Sequence, residues 1–182
     1  MQNLKPILVI LFVILAFSLL FASIRQTTIA DETAAGLLPA EQVKTAPDFA
    51  LPNAATGQVV HLQEQAKSQL IVLDFWATWC GPCRAELPGI QALSQKYAGR
   101  VTFYGINSSD PPKVVTTFAE HNKLTFPMLS DLTHDAAFHY GADAIPLVVV
   151  VDKHGKARAV SQGYGGDVEP NLSKVLDTLL SE

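Results

Sequence analysis

Hydrophobic residues follow three different patterns along this 182-residue chain. One continuous apolar run, ILVILFVILAFSLLFASI, occupies residues 7–24 and contains no charged residue. Shorter apolar runs at residues 70–76 and 145–151 predict two buried strands. Over residues 172–180, apolar positions recur at the spacing of an amphipathic helix. The pattern therefore predicts one membrane-type segment followed by one domain that contains both strands and helices.

Strands and helices alternate through most of that domain. Residues 48–51 and 58–62 predict a β-hairpin ahead of the first buried strand. A helix follows Cys80 and should be kinked at Pro88, and Ser109–Asp110 is typical of the N-cap of another helix. A second hairpin and a helix close the chain. This order predicts an α/β fold with a mixed central sheet, helices on both faces and an N-terminal β-hairpin extension.

The apolar run is long enough to form a transmembrane helix. Its 18 residues would span about 27 Å as a helix, close to the hydrocarbon thickness of a bilayer. Because the apolar region of a signal peptide is usually shorter, the sequence favours an anchor at residues 1–25 over a cleaved signal peptide. Residues 26–44 then predict a flexible tether, and residues 45–182 the folded domain. Lys5 precedes the span, which favours a cytoplasmic N-terminus and a domain outside the cytoplasm.

The charge of the exported part narrows the classes of partner. Lys5 and Arg25 are two of the 13 basic residues of the chain, so the part after residue 25 contains 11 basic residues. It also contains all 17 acidic residues, which gives it a net charge of −6. Proteins that bind nucleic acids through electrostatics are usually basic. The sequence therefore predicts no nucleic-acid partner.

The chain contains only two cysteines, and both lie in the segment Cys80-Gly81-Pro82-Cys83. A disulfide between them would close a very small loop and remove little entropy from the unfolded chain, so a structural role is a poor use of the pair. Cys80 lies where a helix begins, and the free amides of that helix end favour a thiolate. Cys83 lies one turn inside the helix and is more shielded. The spacing predicts that Cys80 attacks a disulfide and Cys83 resolves the mixed disulfide.

Two further positions stand out from their surroundings. Asp74 interrupts an apolar run six residues before Cys80. Burial there would raise the pKa of Asp74, so that it could exchange a proton with Cys83, although an Asp facing solvent on a strand remains an alternative. The Ile145–Pro146 bond opens the second buried strand, and periodicity alone favours the commoner trans form.

Metal binding is the main alternative for the cysteine pair. Two cysteines supply two ligands, whereas structural zinc usually takes four. His134 and His139 are spaced i and i+5 and do not share a helical face. The sequence therefore favours a redox pair without a metal or other cofactor, with a copper-binding module as the alternative.

The sequence from residue 74, DFWATWCGPCRAELP, closely resembles the active site of the thioredoxin superfamily. The segments at residues 46–62 and 140–157, together with FPMLSD at residues 126–131, resemble its exported, membrane-anchored branch of TlpA, ResA and DsbE-like proteins. The resemblance covers residues 46–165. It implies a thioredoxin-like fold and thiol–disulfide oxidoreductase activity.

By position, the resemblance implies that Cys80 is the nucleophile and Cys83 the resolving cysteine. Asp74 matches the buried acid of ordinary thioredoxins, a position where many TlpA-like proteins have Asn. Glu86 matches an acidic position that is common in the branch, and Pro88 matches the helix kink.

The same resemblance implies a surface that holds a substrate chain. The positions it assigns to that surface are Trp79, Gly81, Pro82, Ile145 and Pro146. Pro146 matches the cis-proline of the family. Leu147 departs from the family, which usually has Thr there, and the strand end Tyr104-Gly105-Ile106-Asn107 lacks the Lys that ordinary thioredoxins carry near the buried acid. The missing Lys should make Asp74 easier to keep protonated.

These features predict a protein-disulfide reductase that is anchored in the membrane and acts on exported proteins. The Gly-Pro dipeptide between the cysteines resembles thioredoxin, a reductant, more than the oxidising DsbA type. Such a reductase needs a membrane thiol donor that delivers electrons from the cytoplasm. Apocytochrome c and copper-site cysteines are candidate substrates at the level of the family. A thiol oxidase that uses the same pair is the other alternative, whereas peroxidase chemistry is disfavoured because no extra cysteine precedes the pair.

Overall fold

The structure is a computed structural model that describes residues 10, 12–22, 38–39, 42–163 and 168–182. The strands of the domain are β1 (Lys44–Thr45), β2 (Ala50–Pro52), β3 (Val59–His61), β4 (Leu70–Trp76), β5 (Val101–Asn107), β6 (Met128–Ser130), β7 (Leu147–Val151) and β8 (Lys156–Gln162). The helices are α1 (Leu62–Ala66), α2 (Gly81–Lys96), α3 (Pro112–His121), α4 (Asp135–Tyr140) and α5 (Val168–Leu180).

The predicted membrane segment is described only in part. Residues 10 and 12–22 are helical with exposed side chains, and the rest of residues 1–25 lies outside the described residues. Among the residues that the structure describes, no helix combines the length and the apolar character needed to cross a bilayer.

The predicted tether, residues 26–44, also lies mostly outside the described residues. Where it is described, it meets the domain: the Leu38 amide donates to the Arg158 carbonyl oxygen at 2.6 Å, and Lys44 pairs with Ala157 in the sheet. The sheet therefore includes one residue ahead of the predicted domain start at residue 45.

A six-stranded mixed sheet forms the centre of the domain, in the order β1-β8-β7-β4-β5-β6. The central strand β4 pairs in parallel with β5 and antiparallel with β7. All seven β4 residues are buried, which explains the continuous apolar run in the sequence. Strands β2 and β3 form the separate N-terminal hairpin.

The sheet separates two cores because successive side chains of a strand point to opposite faces. Val72 and Trp76 pack in one core with residues of α2, α3 and α5. Leu73 and Phe75 pack in the other with residues of the hairpin, α1 and α4. By the same alternation, Asp74 faces α2. The prediction of a mixed sheet flanked by helices is confirmed.

The predicted N-cap at Ser109–Asp110 is wrong. Helix α3 begins after Pro111, and no side chain caps it. Pro111 and Pro112 have no amide hydrogen to be capped, and the Val114 amide donates to the Pro111 carbonyl oxygen. The Asp110 carboxylate is therefore available to bind elsewhere.

We expect Gly105→Ala to destabilise the domain by about 1–3 kcal/mol, because the strand has no room for a side chain at this position. A Cβ atom there would lie 2.5 Å from Met128 Sδ and 2.9 Å from Trp76 Nε1. Urea unfolding measures the change. Gly81→Ala is the control for stability, since a Cβ there would meet no atom within 4 Å. Equal stability of the two variants would contradict the packing argument.

Candidate active site

Cys80 and Cys83 lie between the end of the central strand β4 and the first turn of α2. Cys80 is the N-cap residue of α2, and its sulfur accepts a hydrogen bond from the Cys83 amide at 3.1 Å. The two sulfurs form a disulfide, and the Cα atoms are 5.3 Å apart. Cys80 is 4% exposed and Cys83 1%. The free amides at the start of α2 can stabilise a thiolate on Cys80 once the pair is reduced.

Two buried carboxyl groups lie on the α2 side of the sheet, where the cysteines pack. Asp74 projects from β4 and is 2% exposed, and Glu86 projects from α2 and is 5% exposed. Glu86 follows Cys83 by three residues, which places both on the same face of α2. Within the described chain, Glu86 Oε1 has no hydrogen-bond partner.

Both carboxyl groups have a raised pKa. Burial raises the pKa of Asp74 well above its usual value, and the nearby charge of Glu86 raises it further. Burial also raises the pKa of Glu86 to about 7. The pair can therefore hold a proton near neutral pH in the buried layer that contains Cys83.

Cys80 lies beside the residues that precede β7. The Ile145–Pro146 peptide is cis, as the resemblance implies. The carbonyl oxygen of Ile145 lies 3.8 Å from Cys80 Sγ. Leu147, where the family usually has Thr, is 2% exposed and packs in the core shared with α1 and α4. The Leu147 side chain is therefore part of that core and not of the surface beside the disulfide.

An exposed aromatic side chain precedes the cysteines. Trp79 is 68% exposed, although it adjoins a loop whose other residues are largely buried. A small cavity of about 140 Å³ lies beside it, with Ser108, His134 and Ile145 also in its lining.

The residues considered as metal ligands do not form a cluster in the described ranges. No group of three or more His, Cys, Asp or Glu side chains comes close enough there to hold a metal ion. His134 lies at the N-cap of α4, and His139 lies in its last turn.

The domain contains a mixed sheet, and a Cys-Gly-Pro-Cys pair lies at the start of the helix that follows its central strand. A cis-proline follows Ile145, whose carbonyl lies beside Cys80. Together these features define a thioredoxin-like thiol–disulfide oxidoreductase. Residues 43–160 match the AhpC/TSA family. The chain belongs to this family.

The relatives of the chain are named for the same chemistry. Thioredoxin-like protein YneN of Bacillus subtilis (strain 168) is 33% identical over 126 residues, covering 68% of this chain and 72% of the relative. Thiol-disulfide oxidoreductase ResA of Geobacillus thermodenitrificans is 32% identical over 120 residues, or 65% and 68% of the two chains. The predicted relationship to thiol–disulfide oxidoreductases of the ResA and DsbE type is confirmed.

Solved structures agree with this assignment. A thiol:disulfide interchange protein DsbE from Chlorobium tepidum superposes with a TM-score of 0.69 and 29% identity, covering 75% of this chain and 96% of that one. StoA from Bacillus subtilis superposes with a TM-score of 0.60 and 25% identity, covering 72% and 97%.

The structure places the Ile145 carbonyl beside Cys80 and Asp74 on the face of the sheet where the cysteines pack. Gly81 and Pro82 form the first turn of α2 between the cysteines. The sequence resemblance gives Glu86 a common acidic position and no role, and the spacing of three residues between Cys83 and Glu86 is the signal that connects it with the site. The sequence pattern assigns Asp110 to a helix cap, and no sequence signal connects it with Thr78, to which it binds.

Proposed function

We propose that this oxidoreductase acts as a reductase of disulfide bonds in exported proteins, with Cys80 as its nucleophile. The position of Cys80 carries the proposal: it is the more exposed of the two cysteines, it caps α2, and it lies against the Ile145 carbonyl. The Gly-Pro dipeptide supports the direction of the reaction, because it is shared with thioredoxin, a reductant with a potential of about −270 mV.

The reaction proceeds through one mixed disulfide. The Cys80 thiolate attacks a substrate disulfide, forms a bond to one substrate sulfur and displaces the other as a thiolate. The Cys83 thiol then loses its proton and attacks Cys80 Sγ, which releases the second substrate thiolate and leaves the Cys80–Cys83 disulfide. The substrate gains two electrons from the enzyme dithiol, and its two thiolates take up the proton of Cys83 and the proton that Cys80 released on forming its thiolate. An external dithiol must then reduce the enzyme again.

The buried acids serve the second step of this reaction. Attack by Cys83 requires removal of its proton inside a nearly dry layer, and Asp74 and Glu86 are the buried carboxyl groups on that side of the sheet. We assign Asp74 as an acid that takes and returns this proton. Glu86 has a pKa of about 7, so it shares the proton with Asp74 near neutral pH.

The substrate chain is held beside Cys80, at the residues that precede β7. Ile145 and Pro146 present backbone to an extended segment, while Gly81 and Pro82 leave the approach to Cys80 free of large side chains. Trp79 supplies exposed apolar surface at the rim. Aromatic side chains of this kind contribute strongly to protein contacts.

The protein acts outside the cytoplasm, attached to the membrane through residues 1–25. The uncharged run at residues 7–24 and the position of Lys5 support this placement, with the N-terminus in the cytoplasm. Residues 26–44 link the anchor to the domain. Because the exterior is oxidising, a membrane thiol donor supplies electrons. Apocytochrome c or copper-site cysteines are the substrates that the family suggests.

Measurement of the reduction potential tests the direction of this chemistry. We expect a value near about −270 mV for the Cys80–Cys83 pair at neutral pH, obtained by equilibration with dithiothreitol redox buffers and thiol alkylation. A value near about −120 mV would instead identify a thiol oxidase. Copper titration of the reduced protein checks the other alternative: stoichiometric binding without any disulfide reduction would select a metal-delivery module.

A further inference from the structure

The loop that carries Trp79 into the active site is held by one carboxylate from another part of the chain. Asp110 Oδ2 accepts a hydrogen bond from the Thr78 amide at 2.9 Å, and Asp110 Oδ1 accepts one from the Thr78 hydroxyl at 2.8 Å. The Thr78 backbone and side chain are thus both bound to the same group. Two such bonds fix the direction of the chain immediately before Trp79.

The carboxylate of Asp110 is itself fixed before it meets Thr78. Asn107, at the end of β5, is fully buried. Its Oδ1 accepts hydrogen bonds from the amides of Ser109 and Asp110 at 3.0 and 2.8 Å, and its Nδ2 donates to Asp110 Oδ2 at 2.9 Å. Burial by itself raises the pKa of Asp110, but the hydrogen bonds from Thr78 and Asn107 together outweigh burial and hold the pKa below its usual value. The Asp110 carboxylate therefore stays ionised at neutral pH, and both of its oxygens remain hydrogen-bond acceptors.

Residues 107–110, which hold Thr78, are also attached to the start of α4. The Ser108 hydroxyl donates to Asp131 Oδ2 at 3.0 Å, and Asp131 accepts hydrogen bonds from the amides of Ala136 and Ala137 in α4. Residues 107–110 thus connect the loop before Cys80 with the start of α4. Side chains from both connected segments, Trp79 and Ala137, line the small cavity, whose lining also includes Ile145.

We propose that Asp110 is a positioning residue for substrate binding, which holds Thr78 so that Trp79 stays at the rim of the cavity. The proposal rests on the proposed function, because it assigns Trp79 to the substrate surface. Asp110 is not a catalytic residue, since it binds the loop and not the disulfide. Its loss should weaken docking of a protein substrate and leave the chemistry at Cys80 unchanged.

Two substitutions at Asp110 separate geometry from charge. Asp110→Ala removes both acceptors. Asp110→Asn is isosteric: its oxygen can accept from Thr78 N and Asn107 Nδ2, and its amide can donate to the Thr78 hydroxyl oxygen. The full-length protein is assayed with insulin as protein disulfide and hydroxyethyl disulfide as small disulfide, with dithiothreitol as reductant.

We expect Asp110→Ala to lower kcat/KM for insulin about tenfold, mainly through KM, the size of effect that loss of a hydrogen bond to a charged group produces. Asp110→Asn should retain the parental kcat/KM. Both variants should reduce hydroxyethyl disulfide at the parental rate. Amide hydrogen exchange at Thr78 should become about tenfold faster in Asp110→Ala and stay slow in Asp110→Asn.

Each other outcome overturns a defined part of the proposal. An equal loss in both variants would show that Asp110 acts through its charge. An equal loss on insulin and on hydroxyethyl disulfide would show a general structural defect. If the parental protein reduces no insulin, the proposed function fails, while unchanged Thr78 exchange in Asp110→Ala would overturn the positioning role by itself.

Discussion

Replacing Cys80 by serine should reduce disulfide reductase activity to the background rate of the chemical reductant. The serine hydroxyl cannot form the mixed disulfide, and the remaining cysteine, Cys83, is 1% exposed and cannot reach a bulky substrate. No other cysteine exists in the chain to replace it. Insulin reduction with dithiothreitol, followed by turbidity, measures the loss.

Cys83→Ser is the matched control for this prediction. The variant keeps the nucleophile and lacks the resolving thiol, so it should accumulate a covalent complex that reducing agents release. Non-reducing electrophoresis detects the complex, and mass spectrometry of complexes trapped in cells would name the substrate. Parental activity in Cys80→Ser, or no complex with Cys83→Ser, would show that the roles are assigned wrongly.

Glu86→Gln should remove a large part of the pH dependence of the stability of the oxidised protein. The pKa of Glu86 rises from 4.5 to about 7 on folding, so the native state binds the proton more tightly than the unfolded state does. The stabilisation from the protonated carboxyl is fully present below about pH 4.5 and is lost as the pH rises through about 7. Above that pH the native protein contains a buried, ionised Glu86.

The expected difference is largest in mildly alkaline solution. At pH 8 the variant should be more stable than the parental protein by up to about 3 kcal/mol, and at pH 4.5 the two should be nearly equal. Urea unfolding over this pH range measures the difference. Glu64→Gln, at an exposed glutamate of α1, is the control and should leave the pH dependence unchanged. A constant difference between Glu86→Gln and the parental protein at all pH values would contradict the assignment.

Asp74 contributes to stability with the same sign as Glu86. Its pKa is also raised by burial and by the charge of Glu86, so its protonated form stabilises the fold and this stabilisation declines at higher pH. The Glu86→Gln substitution removes the neighbouring charge and eases the later ionisation of Asp74. The two acids therefore titrate as a coupled pair.

Local signals in the sequence were sufficient for the disulfide and for most of the fold. The apolar run at residues 70–76 predicted the central strand, because a strand covered on both faces has no polar alternation. The spacing of Cys80 and Cys83 predicted a redox pair at a helix start, because one helical turn separates them. Short-range geometry of this kind depends on neighbours in the chain and can be inferred from them.

Local sequence patterns did not predict the contacts in which a side chain binds a distant segment of the chain. Ser109–Asp110 has the pattern of an N-cap, yet Asp110 binds Thr78, 32 residues away. The two prolines that follow Asp110 lack amide hydrogens, so they remove the need for a helix cap. The parallel pairing of β4 and β5 brings the loops after both strands to one edge of the sheet, where Asp110 can meet Thr78. A local pattern cannot predict which of two available partners an acceptor will bind.

By itself, the sequence determined the chemistry of this protein: the dithiol, its place at the start of a helix and the buried strand ahead of it. Only the tertiary structure decided the surroundings of the dithiol. The Ile145 carbonyl reaches Cys80 from 65 residues away, and burial on one side of the sheet couples Asp74 with Glu86. Burial and long-range contacts exist only after the sheet has formed, so the pKa of each acid and the direction of Trp79 are properties of the fold.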